Sequence, residues 1–530
     1  MNMVKQNREW GDFQTPPKLA SKICRYLLQT GISPELLIEP TCGTGNFIWA
    51  SLETFPKIKT IYGVEIKESY QATLNERFMT LAKEANQSVP QVKLFQADVF
   101  RHNFELGNWN ASEELLIIGN PPWVTNSELG TLDSANLPIK SNFGRAGLDA
   151  MTGKSNFDLA EWVILQMLKL FSERKGHLAM LCKNSVIRKI LEKSPERNFK
   201  VSGLKALQID ARAEFGAAVE ASLLVMELGN VTKSYVCQTS KLDTPDLTVS
   251  TFGWLGNHFV ANTTTYEQSS HVEGKCLFNW RQGIKHDCAP VMELDEIEGN
   301  WYNAAGERVE IEVDRIYPLL KSSDLKHFGV KSSRKSVIMT QHKLGEITKN
   351  LCHNAPKLWN YLEENSARLD SRKSSIYNTQ PRFAMFGIGD YSFKPYKVAI
   401  SGLYKQCVFS LVEPIDGRSV MLDDTCYFLG FDNYLDALFT ATILNSWLVQ
   451  KFLQAIVFVD AKRPYTKEIL MRIDLATVAT KLAFEDIYTI WQDKAYEPTQ
   501  VVTNTDFVEY LVRNFGETNQ MTQSSFMALV

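Results

Sequence analysis

The amino-acid sequence predicts an α/β protein whose N-terminal part forms a Rossmann-like, mostly parallel sheet of seven strands. Short apolar runs that suit buried strands alternate with segments of helical periodicity through this part of the chain. Several runs end in an acidic or amide residue, and open α/β sheets bind ligands at that end of their strands. The last two runs, 204–210 and 221–228, are joined by too few residues for a crossover helix, so they should pair antiparallel.

The first predicted helix covers residues 13–28. Pro16 and Pro17 favour a helix start at this point, with Thr15 as the N-cap. Apolar residues then recur on one face, which indicates a helix that packs against the sheet.

A glycine-containing turn follows the first predicted strand, residues 36–38. Its pattern is E-P-x-x-G-x-G, formed by Glu39, Pro40, Gly43 and Gly45. An acidic residue at a strand end suits a ligand with a positively charged amino group better than one with a pyrophosphate. The pattern therefore favours S-adenosylmethionine over NAD, with a purely structural strand-to-helix turn as the alternative.

Two further predicted strands, 60–66 and 92–100, carry acidic residues near their ends. Glu65 lies about 20 residues beyond the glycine turn, where an acid commonly binds ribose hydroxyls. Asp98 is placed to accept a hydrogen bond from an adenine amino group. Each acid could instead be a helix cap, but together they predict one ligand site at the sheet edge.

The segment ELLIIGNPPW, residues 114–123, predicts a buried strand that ends at a rigid proline corner. The Asn120 side-chain oxygen and the Pro121 carbonyl can each accept a hydrogen bond from one of the two N–H groups of a planar exocyclic amine. Trp123 can stack on the ring that carries the amine. The alternative is a Pro-Pro turn after a core strand, with Asn120 as a cap.

A long polar segment, residues 124–154, follows this corner. Its length and position predict a substrate lid, with a solvated loop as the alternative. Residues 155–171 then predict an amphipathic helix capped by Ser155 or Asn156.

The order of these motifs over the first 230 residues resembles the gamma class of amino-group DNA methyltransferases, the N6-adenine enzymes of restriction-modification systems. Members of that class have a TP-containing helix, a cofactor loop, an NPP[YW] motif and a C-terminal target-recognition domain. The resemblance implies a seven-stranded S-adenosylmethionine-dependent methyltransferase domain that acts on an adenine flipped out of duplex DNA. The implied cofactor-binding residues are Thr15, Glu39, Pro40, Gly43, Gly45, Glu65, Asp98, Asn120 and Phe157.

The same resemblance implies the catalytic corner Asn120, Pro121, Pro122 and Trp123. Phe215 matches the aromatic residue that stacks on the flipped base opposite Trp123, although a core phenylalanine is the alternative. Tryptophan is less common than tyrosine in this motif and also occurs in N4-cytosine enzymes. Those enzymes usually begin the motif with serine, so Asn120 favours adenine. An N4-cytosine enzyme, a protein-glutamine methyltransferase and a catalytically inactive DNA-specificity module remain as alternatives.

The predicted domains are a catalytic domain, 1–235, and an α+β target-recognition domain, 236–530. Residues 234–254 are polar and predict a linker. Four segments look like parts of the family's recognition domain: 318–328, 396–406, 444–454 and 460–470.

A basic stretch indicates the DNA-facing surface of the second domain. From residue 321 to residue 405 there are 15 Lys and Arg residues against 6 Asp and Glu residues, with aromatic residues between them. The predicted DNA contacts are Lys397, Lys405, Lys462 and Arg463. A solvated charged face is the alternative.

Composition sets the remaining expectations. The chain has 530 residues, a net charge of −3 and no apolar run of 18 residues or more, so we expect a cytoplasmic protein without membrane contact. Its nine cysteines form no CxxC pair, which fits a reducing compartment and predicts no metal site. The expected partners are double-stranded DNA and a cognate restriction endonuclease, and the expected state is a monomer.

Overall fold

The structure is a computed structural model that describes residues 13–84, 90–104, 110, 112–124 and 158–516. The chain divides into two compact units, Met1–Thr263 and Thr264–Val530. Within the described residues, no helix combines the length and the hydrophobicity that crossing a membrane requires.

The first unit is built around one sheet with helices packed against it. Its strands are β1 (Leu36–Glu39), β2 (Thr60–Glu65), β3 (Gln91–Gln96), β4 (Leu115–Gly119), β5 (Gly176–Lys183), β6 (Val201–Ile209), β7 (Ala221–Leu228), β8 (Val236–Lys241), β9 (Ser250–Leu255) and β10 (His258–Val260). Its described helices are α1 (Pro17–Gln29), α2 (Asn46–Thr54), α3 (Glu68–Glu84), α4 (Leu159–Phe171), α5 (Asn184–Arg197) and α6 (Ala211–Phe215).

The strands of this sheet lie in the order β10-β9-β8-β6-β7-β5-β4-β1-β2-β3. Strands β3, β2, β1, β4 and β5 are parallel, whereas β7 is antiparallel to both β5 and β6. The seven strands from β6 to β3 confirm the predicted mostly parallel sheet with one reversed strand. Strands β1 and β4 are buried along their whole length, as expected for central strands covered on both faces.

Two predicted helix caps are wrong. Helix α1 has Pro16 as its N-cap, without a side-chain cap, because the proline pair itself sets the helical start. Thr15 is buried instead. Helix α4 is capped by Asp158, whose carboxylate accepts a hydrogen bond from Ala160 N. The candidates Ser155 and Asn156 lie outside the described residues.

The first unit extends further than the predicted catalytic domain. The stretch predicted as a linker forms β8 and β9, and β8 pairs parallel with β6. Strand β8 mixes buried and exposed residues, so its sequence lacks the continuous apolar run of the central strands β1 and β4. The structural division therefore falls after Thr263 and not after residue 235.

The second unit has two smaller sheets and many short helices. Its strands are β11 (Arg281–Gln282), β12 (Glu293–Ile297), β13 (Asn300–Tyr302), β14 (Ile316–Leu320), β15 (Gly329–Val330), β16 (Lys335–Ile338), β17 (Tyr396–Ser401), β18 (Ser410–Val412), β19 (Met421–Leu422) and β20 (Cys426–Phe431). Its helices are α7 (Thr263–Ser269, which spans the division), α8 (Ala289–Met292), α9 (Leu351–Asn354), α10 (Pro356–Glu364), α11 (Ser366–Asp370), α12 (Tyr434–Leu444), α13 (Trp447–Ile456), α14 (Lys467–Leu470), α15 (Leu475–Ala479), α16 (Phe484–Asp493) and α17 (Asn504–Phe515).

Both sheets of the second unit have five strands, in the orders β11-β20-β17-β18-β15 and β13-β12-β16-β14-β19. Helix α12 is buried along most of its length and packs on β17 and on the surrounding helices α13, α15, α16 and α17. This mixture of sheets and helices confirms the predicted α+β class of the C-terminal part.

Candidate active site

Six of the predicted site residues of the first unit meet beside the carboxyl ends of β1, β2 and β4. They line a cavity of about 680 Å³ that is open to solvent. Its walls include Thr15, Glu39, Gly43, Glu65 and Asn120. The parallel sheet explains the convergence, because parallel strands end at the same edge.

Glu39 ends β1 and faces this cavity with an unsatisfied oxygen. The residue is only 3% exposed, and its Oε2 has no hydrogen-bond partner among the described residues. Burial raises the pKa of Glu39 well above its ordinary value, and the negative charge of Glu65 raises it further. A cation bound beside Oε2 would reverse both effects, so the site favours a positively charged group.

The glycine-containing loop lies next to Glu39. Gly43 and Gly45 have φ angles of 51° and 77°, which residues with a Cβ rarely adopt. Gly43 N donates a hydrogen bond of 2.8 Å to Glu65 Oε2, and Lys67 N donates one of 2.7 Å to Oε1. Glu65 thus holds the loop in place while its carboxylate remains on the cavity wall.

Asp98 lies in an adjoining cavity of about 490 Å³. This second cavity shares Glu65 and Pro122 with the first, and Pro40 and Phe100 also line it. Asp98 Oδ1 accepts a hydrogen bond of 2.9 Å from Phe100 N. The two cavities together provide a site with acidic groups at both ends and apolar walls between them.

Asn120 occupies the predicted position directly after β4. Its Nδ2 donates a hydrogen bond of 3.0 Å to the main-chain carbonyl of Phe13. Its Oδ1 is buried and has no partner among the described residues. A buried carbonyl-type oxygen without a donor is costly, which indicates that a ligand supplies the donor.

Trp123 and Phe215 meet in space, although they are far apart in the sequence. Their ring centroids are 5.1 Å apart, and their planes are inclined by 70°. The Phe13 ring contacts both, at 5.9 Å from Trp123 and 6.2 Å from Phe215. Trp123 is 4% exposed, and its Nε1 donates to the Leu181 carbonyl at 3.3 Å. The three rings form a closed aromatic cluster beside Asn120.

Sequence reasoning missed several residues of this site. Phe13 and Gln14 contact the site through segment 13–15, which the sequence suggested only as the start of a helix. Tyr70 and Phe100 line the cavities from positions just after strand ends. The sequence did contain a signal for the aromatic residues among them: an aromatic residue lies close to the TPP sequence and close to each acidic strand end. Phe157 lies outside the described residues, as does all of the predicted lid except Val124.

The predicted DNA contacts of the second unit differ widely in exposure. Lys397 lies on β17 and is 0% exposed, with its Nζ donating to the Lys394 carbonyl at 2.6 Å. Its prediction as a phosphate contact is therefore wrong, because β17 lies between β20 and β18 and its residues from Lys397 to Ser401 are all buried. Lys405 and Lys462 are exposed, whereas Arg463 is half-buried and donates to the Asp424 carbonyl at 3.1 Å.

The basic stretch is less positive in space than in sequence. Carboxylates pair with five of its cations: Lys321, Arg334, Lys335, Arg382 and Lys394. The loops that carry Lys405 and Lys462 are adjacent, because Tyr465 OH donates to the Lys405 carbonyl at 3.1 Å. Tyr404, which directly precedes Lys405 in the same loop, is also exposed.

No group of three or more potential metal-binding side chains is present in the described part of the chain. His286 and Cys288 lie in the interior of the second unit. His286 Nδ1 accepts a hydrogen bond of 3.2 Å from Cys288 N, and its Nε2 is 3.5 Å from Glu293. These contacts give the histidine a structural role.

Comparison with known proteins places the chain in a family. It is similar to the type II methyltransferase M.NspV of Nostoc sp. (strain ATCC 29411 / PCC 7524), with 39% identity over 486 residues, which cover 90% of this chain and 98% of the relative. A shorter match, 29% identical over 139 residues, covers 26% of this chain and 31% of the type II methyltransferase M.CvrRI of Paramecium bursaria Chlorella virus XZ-6E. A search against protein-family models found no match.

Among solved structures, the chain resembles the type IIL restriction-modification enzyme MmeI in complex with DNA. The TM-score is 0.53 at 11% identity, and the match covers 97% of this chain and 74% of that chain. At this identity the likeness establishes the fold. The long match to M.NspV establishes the family: the chain belongs to the type II methyltransferases of restriction-modification systems, which use S-adenosylmethionine.

Proposed function

We propose that this protein transfers a methyl group from S-adenosylmethionine to N6 of an adenine that is flipped out of duplex DNA. The observation that carries the proposal is the buried, unpartnered Oδ1 of Asn120, described above, on the wall of the main cavity. An exocyclic amine is a donor of the kind that this oxygen lacks. Its neighbour Pro121 adds a main-chain carbonyl as the second acceptor.

The cavity residues fit the cofactor. The unpartnered Glu39 Oε2 suits the amino group of its methionine part, and Glu65 suits its ribose hydroxyls. Asp98 and Pro40 line the second cavity, where the adenine ring would lie against Phe100. Thr15, Gly43 and Gly45 would complete the set, and Phe157 remains an expectation from the family pattern. When bound, the cofactor supplies an electrophilic methyl group on a sulfonium.

The protein's own groups then orient the amine. Asn120 Oδ1 and the Pro121 carbonyl would accept hydrogen bonds from its two N–H groups, drawing the nitrogen lone pair out of conjugation with the ring and toward the methyl group. The amine would attack the methyl carbon before it loses a proton, so no general base is required. The carbon–sulfur bond would break and release S-adenosylhomocysteine, and the proton would leave to water. Catalysis then depends on proximity and on hydrogen bonds that favour the developing positive charge.

The aromatic cluster must open to admit a base. Trp123 and Phe215 are in direct edge-to-face contact, so a base stacks between them only after one ring moves. Partly exposed Phe215 is the ring with room to move, since Trp123 is anchored to the Leu181 carbonyl.

In the second unit, the exposed residues Lys405 and Lys462 are the proposed phosphate contacts. Arg463 lies in the same loop as Lys462 and adds a further cation at its edge. The protein would act as a monomer beside a restriction endonuclease of the same specificity. The C-terminal unit would thus be the target-recognition domain.

The test is methyl transfer from labelled S-adenosylmethionine to unmethylated DNA, followed by nucleoside analysis and mapping of the modified positions. We expect N6-methyladenine from the wild type and a loss of at least about a hundredfold in rate for Asn120→Ala. Asn360→Ala removes an exposed asparagine of α10 and should leave the rate unchanged.

Other products would decide between the alternatives. N4-methylcytosine would keep the mechanism and change the base. Cofactor binding without any DNA label would instead favour a catalytically inactive specificity module. Both outcomes contradict the proposed adenine specificity.

A further inference from the structure

Residues 13–15, which precede α1, connect Asn120 with the loop that follows β1. The Phe13 carbonyl accepts the hydrogen bond from Asn120 Nδ2 described above. The Thr15 carbonyl accepts a hydrogen bond of 2.8 Å from Asn46 Nδ2, at the first residue of α2. We call residues 13–15 the strap, because one end contacts the catalytic corner and the other contacts the cofactor loop.

Gln14 attaches the centre of the strap to the same loop. Its Oε1 accepts hydrogen bonds from both Thr44 N and Thr44 Oγ1, each at 3.1 Å. A Cβ added to Gly43 would lie 2.5 Å from Gln14 Oε1, so the side chain lies directly on the glycine turn. Gln14 is nevertheless solvent-exposed. These contacts therefore locate the strap and contribute little to the hydrophobic core.

The Phe13 carbonyl decides which end of the Asn120 amide faces the cavity. An amide has a donor end and an acceptor end, and only the acceptor end can receive a hydrogen bond from an amine. Because Nδ2 is bound to the Phe13 carbonyl, Oδ1 is directed to the other side. Rotating the amide by half a turn would break this bond and place N–H groups against the N–H groups of the substrate.

We propose that the strap positions Asn120 and couples its orientation to the state of the cofactor loop, with Gln14 as the positioning residue. This inference rests on the proposed role of Asn120. A ligand that orders the loop at Gly43 and Thr44 also orders Gln14, and through it the Phe13 carbonyl. Coupling of this kind is reciprocal, so cofactor and target base must strengthen each other's binding by the same factor.

The experiment compares Gln14→Ala, Gln14→Glu and the control Gln29→Ala, which changes an exposed glutamine at the end of α1. Two quantities are measured for each variant. The first is the single-turnover rate at saturating S-adenosylmethionine and DNA. The second is the affinity for the duplex that the wild type methylates, with and without S-adenosylhomocysteine.

We expect Gln14→Ala to lower the single-turnover rate by about ten- to a hundredfold, because Asn120 is less well oriented. S-adenosylhomocysteine should no longer strengthen DNA binding in this variant. Gln14→Glu retains an acceptor oxygen for both donors of Thr44, so it should restore the rate and the coupling. Gln29→Ala should match the wild type in both measurements.

Two results would overturn the strap. One is a Gln14→Ala variant that binds cofactor more weakly but reaches the wild-type rate and coupling at saturation. The other is a Gln14→Glu variant as impaired as Gln14→Ala. These results can be distinguished from a failure of the proposed function. If the proposed role of Asn120 were wrong, Asn120→Ala would keep the wild-type methylation rate, whatever the effect of the Gln14 substitutions.

Discussion

Two buried ionisable side chains, Glu39 and Lys397, show how single residues take different roles in the two units. Glu39 lies on a cavity wall with an unpartnered oxygen, so its burial prepares it for a cationic ligand. Lys397 lies inside a sheet with one hydrogen bond to a carbonyl. Burial lowers its pKa from 10.5 to about 7. Burial of Glu39 therefore favours the binding of a cationic ligand, whereas burial of Lys397 lowers the stability of the folded protein.

Cofactor affinity should increase with pH through the raised pKa of Glu39. Burial favours the protonated form of Glu39 in the free protein and the cationic amino group favours the carboxylate, so binding should release protons. Glu65, which faces Glu39, also favours the cation, and buried Cys42 adjoins both carboxylates. Titration calorimetry with S-adenosylmethionine in buffers of different ionisation enthalpy measures the proton release. Glu39→Gln should abolish that release and weaken binding; unchanged release would assign it to another group.

Lys397→Met should stabilise the protein most at neutral pH. The pKa of Lys397 is lower in the folded than in the unfolded chain, so the unfolded chain binds more protons between about pH 7 and pH 10.5. Wild-type stability should therefore increase across that window, by at most about 1.4 kcal/mol per pH unit from this group. Thermal unfolding at several pH values measures the difference between wild type and variant. A difference that does not shrink as pH increases would contradict the assignment.

Among the elements, the loop between β1 and α2 has the most demanding geometry. It must turn sharply after a buried strand, satisfy the start of α2 and leave the cavity open. Gly45 lies at φ 77°, and a Cβ there would be 2.2 Å from Leu74 Cδ2 on α3. The loop is thus held by packing on one side and by the strap and Glu65 on the other.

Gly45→Ala should reduce both stability and cofactor affinity. Gly306 provides a matched control, since it has the same φ of 77° but no atom within 4 Å of an added Cβ. Both substitutions should cost about 1 kcal/mol for the left-handed backbone. Only Gly45→Ala adds the clash with Leu74 and moves the loop, so only it should weaken S-adenosylmethionine binding. Equal losses of affinity in the two variants would contradict this reasoning.

At the scale of the whole molecule, the chain separates chemistry from the proposed recognition. The first unit holds the cavities and the NPPW corner, and the second carries the exposed cations of adjacent loops. Net charge is −3, so DNA binding cannot come from overall attraction and must depend on local clusters.

Charge reversal at Lys405 or Lys462 should weaken DNA binding and its dependence on salt. Each lost phosphate contact should reduce the slope of log affinity against log salt by about one. Lys397→Met is the matched control, because the buried side chain cannot reach DNA. Fluorescence anisotropy with labelled duplex over a salt series measures both affinity and slope. If both reversal variants had the same slope as the wild type, neither lysine would contact a phosphate, and the DNA-binding surface would lie elsewhere.

The sequence by itself determined seven of the ten strands in the sheet of the first unit and several residues at the end of these strands. Buried strands are apolar runs, and their ends in Glu39, Glu65 and Asn120 are legible because parallel strands deliver their last residues to one edge. The same logic paired β6 with β7 from the length of their connection. Local sequence is sufficient to predict a strand and its final residue where one short segment determines both.

Only the tertiary structure decided the rest. Strands β8 and β9 look like a linker, since they are only partly buried and lack a continuous apolar run. Lys397 looks like a phosphate contact, since its charge carries no information about the burial of β17, whose residues from Lys397 to Ser401 are all buried. Residues 13–15 acquire their role from hydrogen bonds to Thr44 and Asn120, both distant in the chain. Burial and contacts between distant segments are properties of packing, which no local pattern records.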